Sequence, residues 1–358
     1  MAVLNPPCGT KPYRNLVFPV HAGLRGRYRY EVLDELGRPE VIRLPSGMAA
    51  NYDGKRWLPN LITDAGLERV AECNDVVGSG GSFVTTLRNL LAVGTGSAAP
   101  AFTDEALTAE VARSGASTPG GQNGKTVVWD GGDEVVRSVG YRDIIILMAE
   151  NRNLTEYGFS HHASAAQGPL NIRALFTDEL GNPIALSLLA GKSIRVVHEM
   201  TLEIGPIPAA GHAAVIQIEE YDATNTLIAT HPISVVYGWS GSTMGITNCW
   251  HPEGSNFAQA YSAGGSAYNR LTAPISGNPA LNNAGADTRT IDPYVGGSRE
   301  RIKRRLVPPT GEVGDWGAFS FGMGFGGGLA VHLVSPVSFT KLDTHTMSYA
   351  MKSTWGRL

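Results

Sequence analysis

A chain of 358 residues that is 42% hydrophobic has apolar mass for about two or three cores, which excludes wholesale disorder. Its 44 glycines against 17% charged residues favour many short strands and tight turns over long solvated helices. A net charge of −3 gives no overall attraction to nucleic acid or an anionic membrane, and Cys8, Cys73 and Cys249 stand too far apart for a disulfide framework or a zinc spacing.

In chain order, residues 1–25 are rich in Pro, Gly and Arg and read as an extended arm. The opening Met1-Ala-Val-Leu-Asn-Pro-Pro has neither the basic nor the apolar stretch of a signal peptide. From Tyr28 the pattern alternates, with Tyr28, Tyr30 and Val32 on one face and Arg29 and Glu31 on the other, the signature of a half-buried strand. Asp34-Glu35-Leu36-Gly37-Arg38-Pro39 supplies turn chemistry, and a partner strand is expected over residues 41–44. The same turn returns as Asp178-Glu179-Leu180-Gly181-Asn182-Pro183, between expected strands at 171–176 and 184–189, a weak internal repeat of one hairpin solution.

The clearest helix spans Thr63 to Cys73, capped by Thr63 or Asp64, with Leu67, Val70 and Ala71 on one face. A strand over 87–93 leads into the loop Gly94-Thr95-Gly96-Ser97-Ala98-Ala99-Pro100. Thr103-Asp104-Glu105-Ala106 then resembles a second cap, and predicts a short helix or amphipathic arm through Glu110. Strands follow at 126–129, 134–139, 141–148, 194–204, 213–221 and 227–237, the last two joined by the hairpin loop Asp222–Thr226. The longest purely apolar run, Ile144 to Ala149, is too short to span a bilayer.

Residues 239–315 are small and polar with weak periodicity, and read as a long excursion offering contacts to neighbouring subunits. Phe319, Phe321, Met323 and Phe325 alternate with Ser and Gly, so one strand face is heavy and the other nearly bare. The run from His345 to Trp355 alternates longest and predicts the final strand. The expected fold is mainly β: antiparallel β-sandwich material over 26–238 with a short helix near 63–73, one or two helices in all, long loop excursions, and strands at 316–358 returning to the core.

Catalytic patterns come close and fail. Gly124-Lys125-Thr126 ends like a phosphate-binding loop, but Pro119 stands where the first glycine belongs and a strand follows. Gly191-Lys192-Ser193 fails at Leu186, and Gly238-Trp239-Ser240-Gly241-Ser242 lacks the closing glycine of a nucleophile elbow. His198-Glu199 has Leu202 where a second histidine would complete a helical zinc site. His161-His162 would point to opposite faces of a strand, and Asp104-Glu105 and Glu219-Glu220 sit where structural carboxylates are expected, at a helix start and a strand end. The basic run Arg299 to Arg305 lacks interleaved aromatics and reads as a solvated segment, or one paired with a neighbour's carboxylates. No catalytic residue, cofactor or metal ligand is expected.

Asn60-Leu61-Ile62-Thr63-Asp64-Ala65-Gly66-Leu67, the tract Val93 to Pro100 followed by Asp104 and Leu107, and the ending Trp355-Gly356-Arg357 occur in an order that resembles a family of tailed-bacteriophage virion proteins. Tyr157-Gly158-Phe159, Arg173 to Phe176 and Gly181-Asn182-Pro183 fit the same likeness, which covers roughly residues 28–205 and the last fifteen. Members of that family are tail, fibre or minor structural proteins. The resemblance implies a virion component of the tail, collar, baseplate or fibre attachment, assembled in the host cytoplasm.

Long strands, few charges and extended segments suit a subunit that joins copies of itself in a closed ring or trimer, alongside other virion proteins. Candidate contacts lie in the arm (Tyr13, Phe18, Arg25) and the excursion (Trp250, Tyr261, Tyr268, Arg301, Arg304, Arg305). The alternative is a receptor- or glycan-binding fibre or spike, with Trp239, Trp250, Tyr261 and Tyr268 stacking on sugars of the host surface. A polysaccharide-degrading enzyme is the third reading. Neither nucleic acid nor membrane is expected as a partner.

Overall fold

The computed structural model describes residues 17–41, 56–72, 87–119, 124–130, 135–178, 180–204, 215–239, 260–262, 288–291, 293–310, 313–322 and 329–358. Within them the protein is mainly β. The first part of the chain forms β1 (Val17–Leu33), β2 (Pro39–Glu40), β3 (Leu58–Pro59), β4 (Leu61–Ile62) and the helix α1 (Asp64–Glu72), then β5 (Leu90–Gly94) and β6 (Glu110–Ser114). The middle forms β7 (Gly124–Asp130), β8 (Val135–Leu147), β9 (Arg152–Leu154), β10 (Glu156–Ser160), β11 (Leu170–Leu175), β12 (Leu186–Leu188) and β13 (Ser193–Ile204). The last part forms β14 (Val215–Tyr221), β15 (Leu227–Trp239), β16 (Ala260–Ser262), β17 (Thr288–Ile291), β18 (Glu300–Val307), β19 (Gly314–Gly322), β20 (Leu329–Lys341) and β21 (Thr346–Arg357).

Fourteen strands form one sheet, and β4-β11-β10-β5-β6 form a second. Pairing is antiparallel except between β1 and β21, which run parallel. β21 branches the large sheet. β1 pairs with residues 350–357 of β21 and β18 with residues 347–354, so these two lie on opposite edges. β14 pairs with residues 346–348 and therefore shares the edge taken by β1.

The two sheets meet through β1 and β13 on one side and β10 and β11 on the other, a packing compatible with the expected sandwich. Tyr28, Tyr30, Tyr157, Phe159 and Phe176 are fully buried there, with Tyr28 and Tyr157 centred 4.6 Å apart and Tyr30 edge-on to Phe176 at 5.3 Å. Burying each such ring contributes roughly 1.5–3 kcal/mol. The hydroxyls escape the cost of burial by crossing to the facing sheet, where Tyr28 donates to the Leu175 carbonyl at 2.7 Å and Tyr30 to that of Thr177 at 2.9 Å.

Four sequence expectations change. β1 begins at Val17, inside the segment read as an arm, because β21 fills its ladder and so overrides the interruptions at Pro19 and Gly23. β8 runs unbroken through Gly140 where two strands were expected. No helix forms at Thr103. Asp104 instead accepts the N–H of Ala101 behind it and bonds Arg173, so it cannot cap, and the chain enters β6 at Glu110. The 239–315 excursion contains β16, β17, β18 and the start of β19, so the basic run Arg299 to Arg305 belongs largely to a sheet strand. A strand's backbone needs ladder partners whatever its side chains carry, and β21 of the same chain supplies them.

Candidate functional site

Three stretches of the chain, residues 60–67, 93–107 and 355–357, meet around α1, where the Asp64 N–H donates to the Phe102 carbonyl at 2.7 Å and Arg357 reaches both Asp64 and the Phe102 ring. Thr63 caps α1: its Oγ1 accepts the Gly66 N–H at 3.0 Å and donates to the Leu170 carbonyl at 2.6 Å, so one hydroxyl starts the helix and ties it to β11. Asp64, in the first turn where a negative charge is favoured, takes Arg357 at 2.7 Å and Arg299 at 2.6 Å on one oxygen. These two guanidiniums, the Arg357 hydrogen bond first, hold the Asp64 carboxyl below its usual range. Arg357 also donates to the Ile62 carbonyl at 2.7 Å and lies 3.9 Å over the ring of Phe102.

One turn further along α1, Trp355 donates its indole N–H to the Leu67 carbonyl and stacks against Tyr294 with centroids 5.8 Å apart. Tyr294 donates to Glu68 at 2.7 Å, and the Gly297 N–H reaches the same oxygen. Burial, then the adjacent Glu68 charge, pushes the Tyr294 phenol up to about 12. Helix, preceding loop and last strand are thus interlocked.

The second tract wraps a buried ion pair. Glu156, fully buried, accepts the N–H groups of Gly96 (3.0 Å), Ala109 (2.9 Å) and Thr108 (3.2 Å), and two bonds from Arg173 (2.7 and 3.2 Å). Arg173 also binds Asp104, the Ala98 carbonyl and the Thr108 hydroxyl. A Cβ at Gly96 would collide with the Glu156 carboxylate, so glycine is the residue that lets the backbone close over it. Burial opposes the Arg173 charge, and its bonds to Asp104 and Glu156 outweigh that and raise its pKa. With five donors on two oxygens, Glu156 has no lone pair left for acid–base work.

A third cluster lies between the sheets. Arg88 donates to the carbonyls of Gly140 (3.0 Å) and His198 (2.9 Å) and to His198 Nδ1 (3.0 Å). Burial first, then Arg142, pushes Arg88 down to about 9 against the pull of Glu199. Burial and the Arg88 charge hold His198 well below 6.5, so it is neutral. An arginine only donates; Nδ1 is therefore the acceptor and Nε2 carries the proton. The Asn60 amide, 2.7 Å from Nε2, must then present its oxygen there, turned about its last bond from the orientation that leaves Asn60 Oδ1 and Tyr157 Oη without partners.

Beside α1 opens a cleft of about 380 Å³ lined by Asp64, Glu68, Arg69, Glu105, His162 and Asn171 among others. Asp64 and Glu68 are already committed to the arginines and to Tyr294. Its volume suits a small polar ligand.

The expected contact residues are not gathered into one site. Tyr13, Trp250 and Tyr268 lie outside the described residues. Phe18 sits in β1 opposite Met351, Arg25 is exposed in β1 opposite Thr201, and Tyr261 sits in β16 opposite Ala318. Arg301, Arg304 and Arg305 pair through β18 with Ser353, Ala350 and Tyr349. Phe18, Arg25, Tyr261 and the three arginines thus lie on strands whose backbones are paired within the chain. Glu220 is bonded by His231 at 2.7 Å and His345 at 2.5 Å, and Glu219 by Tyr221, so that acidic pair is structural. Glu156, Arg173 and Arg357 were not among the expected contact residues; Gly94 and Gly96, whose missing Cβ atoms make room for Glu156, were the available signal for the first of them. Compared with known protein families, curated proteins and solved structures, the chain matches none.

Proposed function

We propose that this protein is a structural component of a tailed-bacteriophage virion, part of the tail, collar, baseplate or fibre attachment, and that it acts by joining subunits. One observation carries this reading: the tracts that suggested it lie together in the fold, and the charged groups in and beside them are spent on holding it. Asp64, Glu156, Arg173 and Arg357 bind one another and the backbone. Groups used for chemistry would aim into a cleft with bonding capacity to spare. Groups used for architecture would look as these do.

Antibody raised against the purified chain tests the reading in electron micrographs of tailed particles. Decoration of one particle structure is the expected outcome. Labelling of the host cell and of no particle structure would sink it. The receptor-binding alternative draws support from the polar cleft beside α1, and binding of the isolated protein to host-surface glycan would favour it.

A further inference from the structure

The cleft beside α1 contains acceptors that the fold leaves unused. Its lining includes Asp64, Glu68, Thr103, Glu105, His162 and Asn171, drawn from α1, two loops and β11. The Glu105 carbonyl accepts the Leu170 N–H at 2.8 Å, which pins one loop to β11. The Thr63 N–H donates to the Asn171 carbonyl at 3.0 Å, which pins the start of α1 to the same strand. Backbone bonds therefore fix the walls.

Asn171 is the one buried residue of the lining, only 2% exposed. Its Nδ2 donates to the Leu87 carbonyl at 3.1 Å. A carbonyl only accepts, so the amide nitrogen belongs on that side and Oδ1 on the other. Oδ1 accepts nothing from the described residues and is not sealed off from solvent, so it looks into the cleft. An amide oxygen held this deep costs about 1–3 kcal/mol unless a donor in the cleft satisfies it.

Carboxylates stand around it with oxygens to spare. The Glu105 side chain is exposed and makes no hydrogen bond or ion pair among the described residues. Glu68 receives only the neutral donors Tyr294 and Gly297, both on Oε2. Asp64 takes both of its arginines on Oδ1. Against these the lining sets Arg69 and His162. Among the described residues no three carboxylate, histidine or cysteine side chains are placed to hold one metal ion, so the spare oxygens call for a ligand that carries its own donors. A neutral polyol brings donors but leaves Glu68 and Glu105 without a countercharge. An alkylammonium group brings three N–H donors and the charge together.

We propose that this cleft binds a small organic cation through a primary ammonium group, held by Glu105 and Asn171 Oδ1 beside the free oxygens of Glu68 and Asp64. The volume of about 380 Å³ accommodates such a group on a chain of a few carbons. The proposal goes beyond the assembly reading and does not rest on it.

Calorimetric titration of the full chain with diaminobutane, and with butanediol as its neutral counterpart, is the test. The diamine should bind with a dissociation constant of about 1 mM or tighter, and the diol at least about tenfold more weakly. Glu105→Gln keeps an oxygen in place, removes the charge and breaks no bond of the fold, and it should weaken the diamine at least about tenfold. Asn171→Leu should do the same through the lost acceptor; if that variant fails to fold, Glu105→Gln decides alone. Absence of diamine binding, equal affinity for the diol, or an unchanged constant in folded Glu105→Gln overturns the proposal. Each of those results leaves the assembly reading standing.

Discussion

Trp355 donates its indole N–H to the carbonyl of Leu67 at 2.8 Å, a bond that spans 288 residues of sequence. It joins the last strand to the only α-helix among the described residues. The Leu67 carbonyl and the indole are both buried, so neither finds water if the other is removed.

Trp355→Phe keeps the ring against Tyr294 and deletes the donor, which should cost about 1–2 kcal/mol of stability. Trp355→Ala also opens a cavity and should cost about 3–5 kcal/mol. Urea unfolding followed by circular dichroism measures both, and equal midpoints for wild type and Trp355→Phe would show the bond to be inert.

Arg173→Met leaves the Glu156 carboxylate buried with its countercharge gone, and should destabilise by about 3–5 kcal/mol. Glu156→Gln in the same chain should restore part of that loss, since the two side chains act as one unit. A double-mutant cycle reads the coupling. Strictly additive losses would show that the loop over 95–109 is held by other means.

His198 is neutral when folded and has its ordinary affinity for a proton when unfolded, so its folded pKa lies below its unfolded one. Its contribution to stability is present above about pH 6.5 and is lost as pH falls toward the folded value, at up to about 1.4 kcal/mol per pH unit. His198→Gln should remove that part of the slope between pH 7 and 5, whatever it does to absolute stability. A wild-type slope identical to the variant's would contradict the assignment.

Gly181 sits at φ 89° and Asn225 at φ 63° in equivalent turns. Gly181→Asn should therefore change stability by a few tenths of a kcal/mol, whereas Gly181→Val should cost about 1–2 kcal/mol for a branched side chain at positive φ. Thermal unfolding separates the two, and a tolerated valine would mean that the turn has another conformation.

Elements with local causes were legible in the sequence. The Thr63 cap, the glycine at the fourth position of both repeated turns and the two-residue alternation from Tyr28 each depend on neighbours a few residues away, and the fold keeps them. Elements whose cause is remote were misjudged. Asp104 looks like a cap by its local sequence and becomes a ligand of Arg173, 69 residues away. Pro19 and Gly23 look like an arm until β21 lies alongside.

The sequence by itself determined the class of fold and its turns, because alternation, capping and positive φ are settled within a few residues of chain. Only the tertiary structure decided what the motifs are for. Whether Glu156 is a spare carboxylate or a saturated one, and whether Asp64 meets solvent or two arginines, depends on which distant strand arrives beside it. That choice is made by burying the whole sheet at once, and no short window of residues contains it.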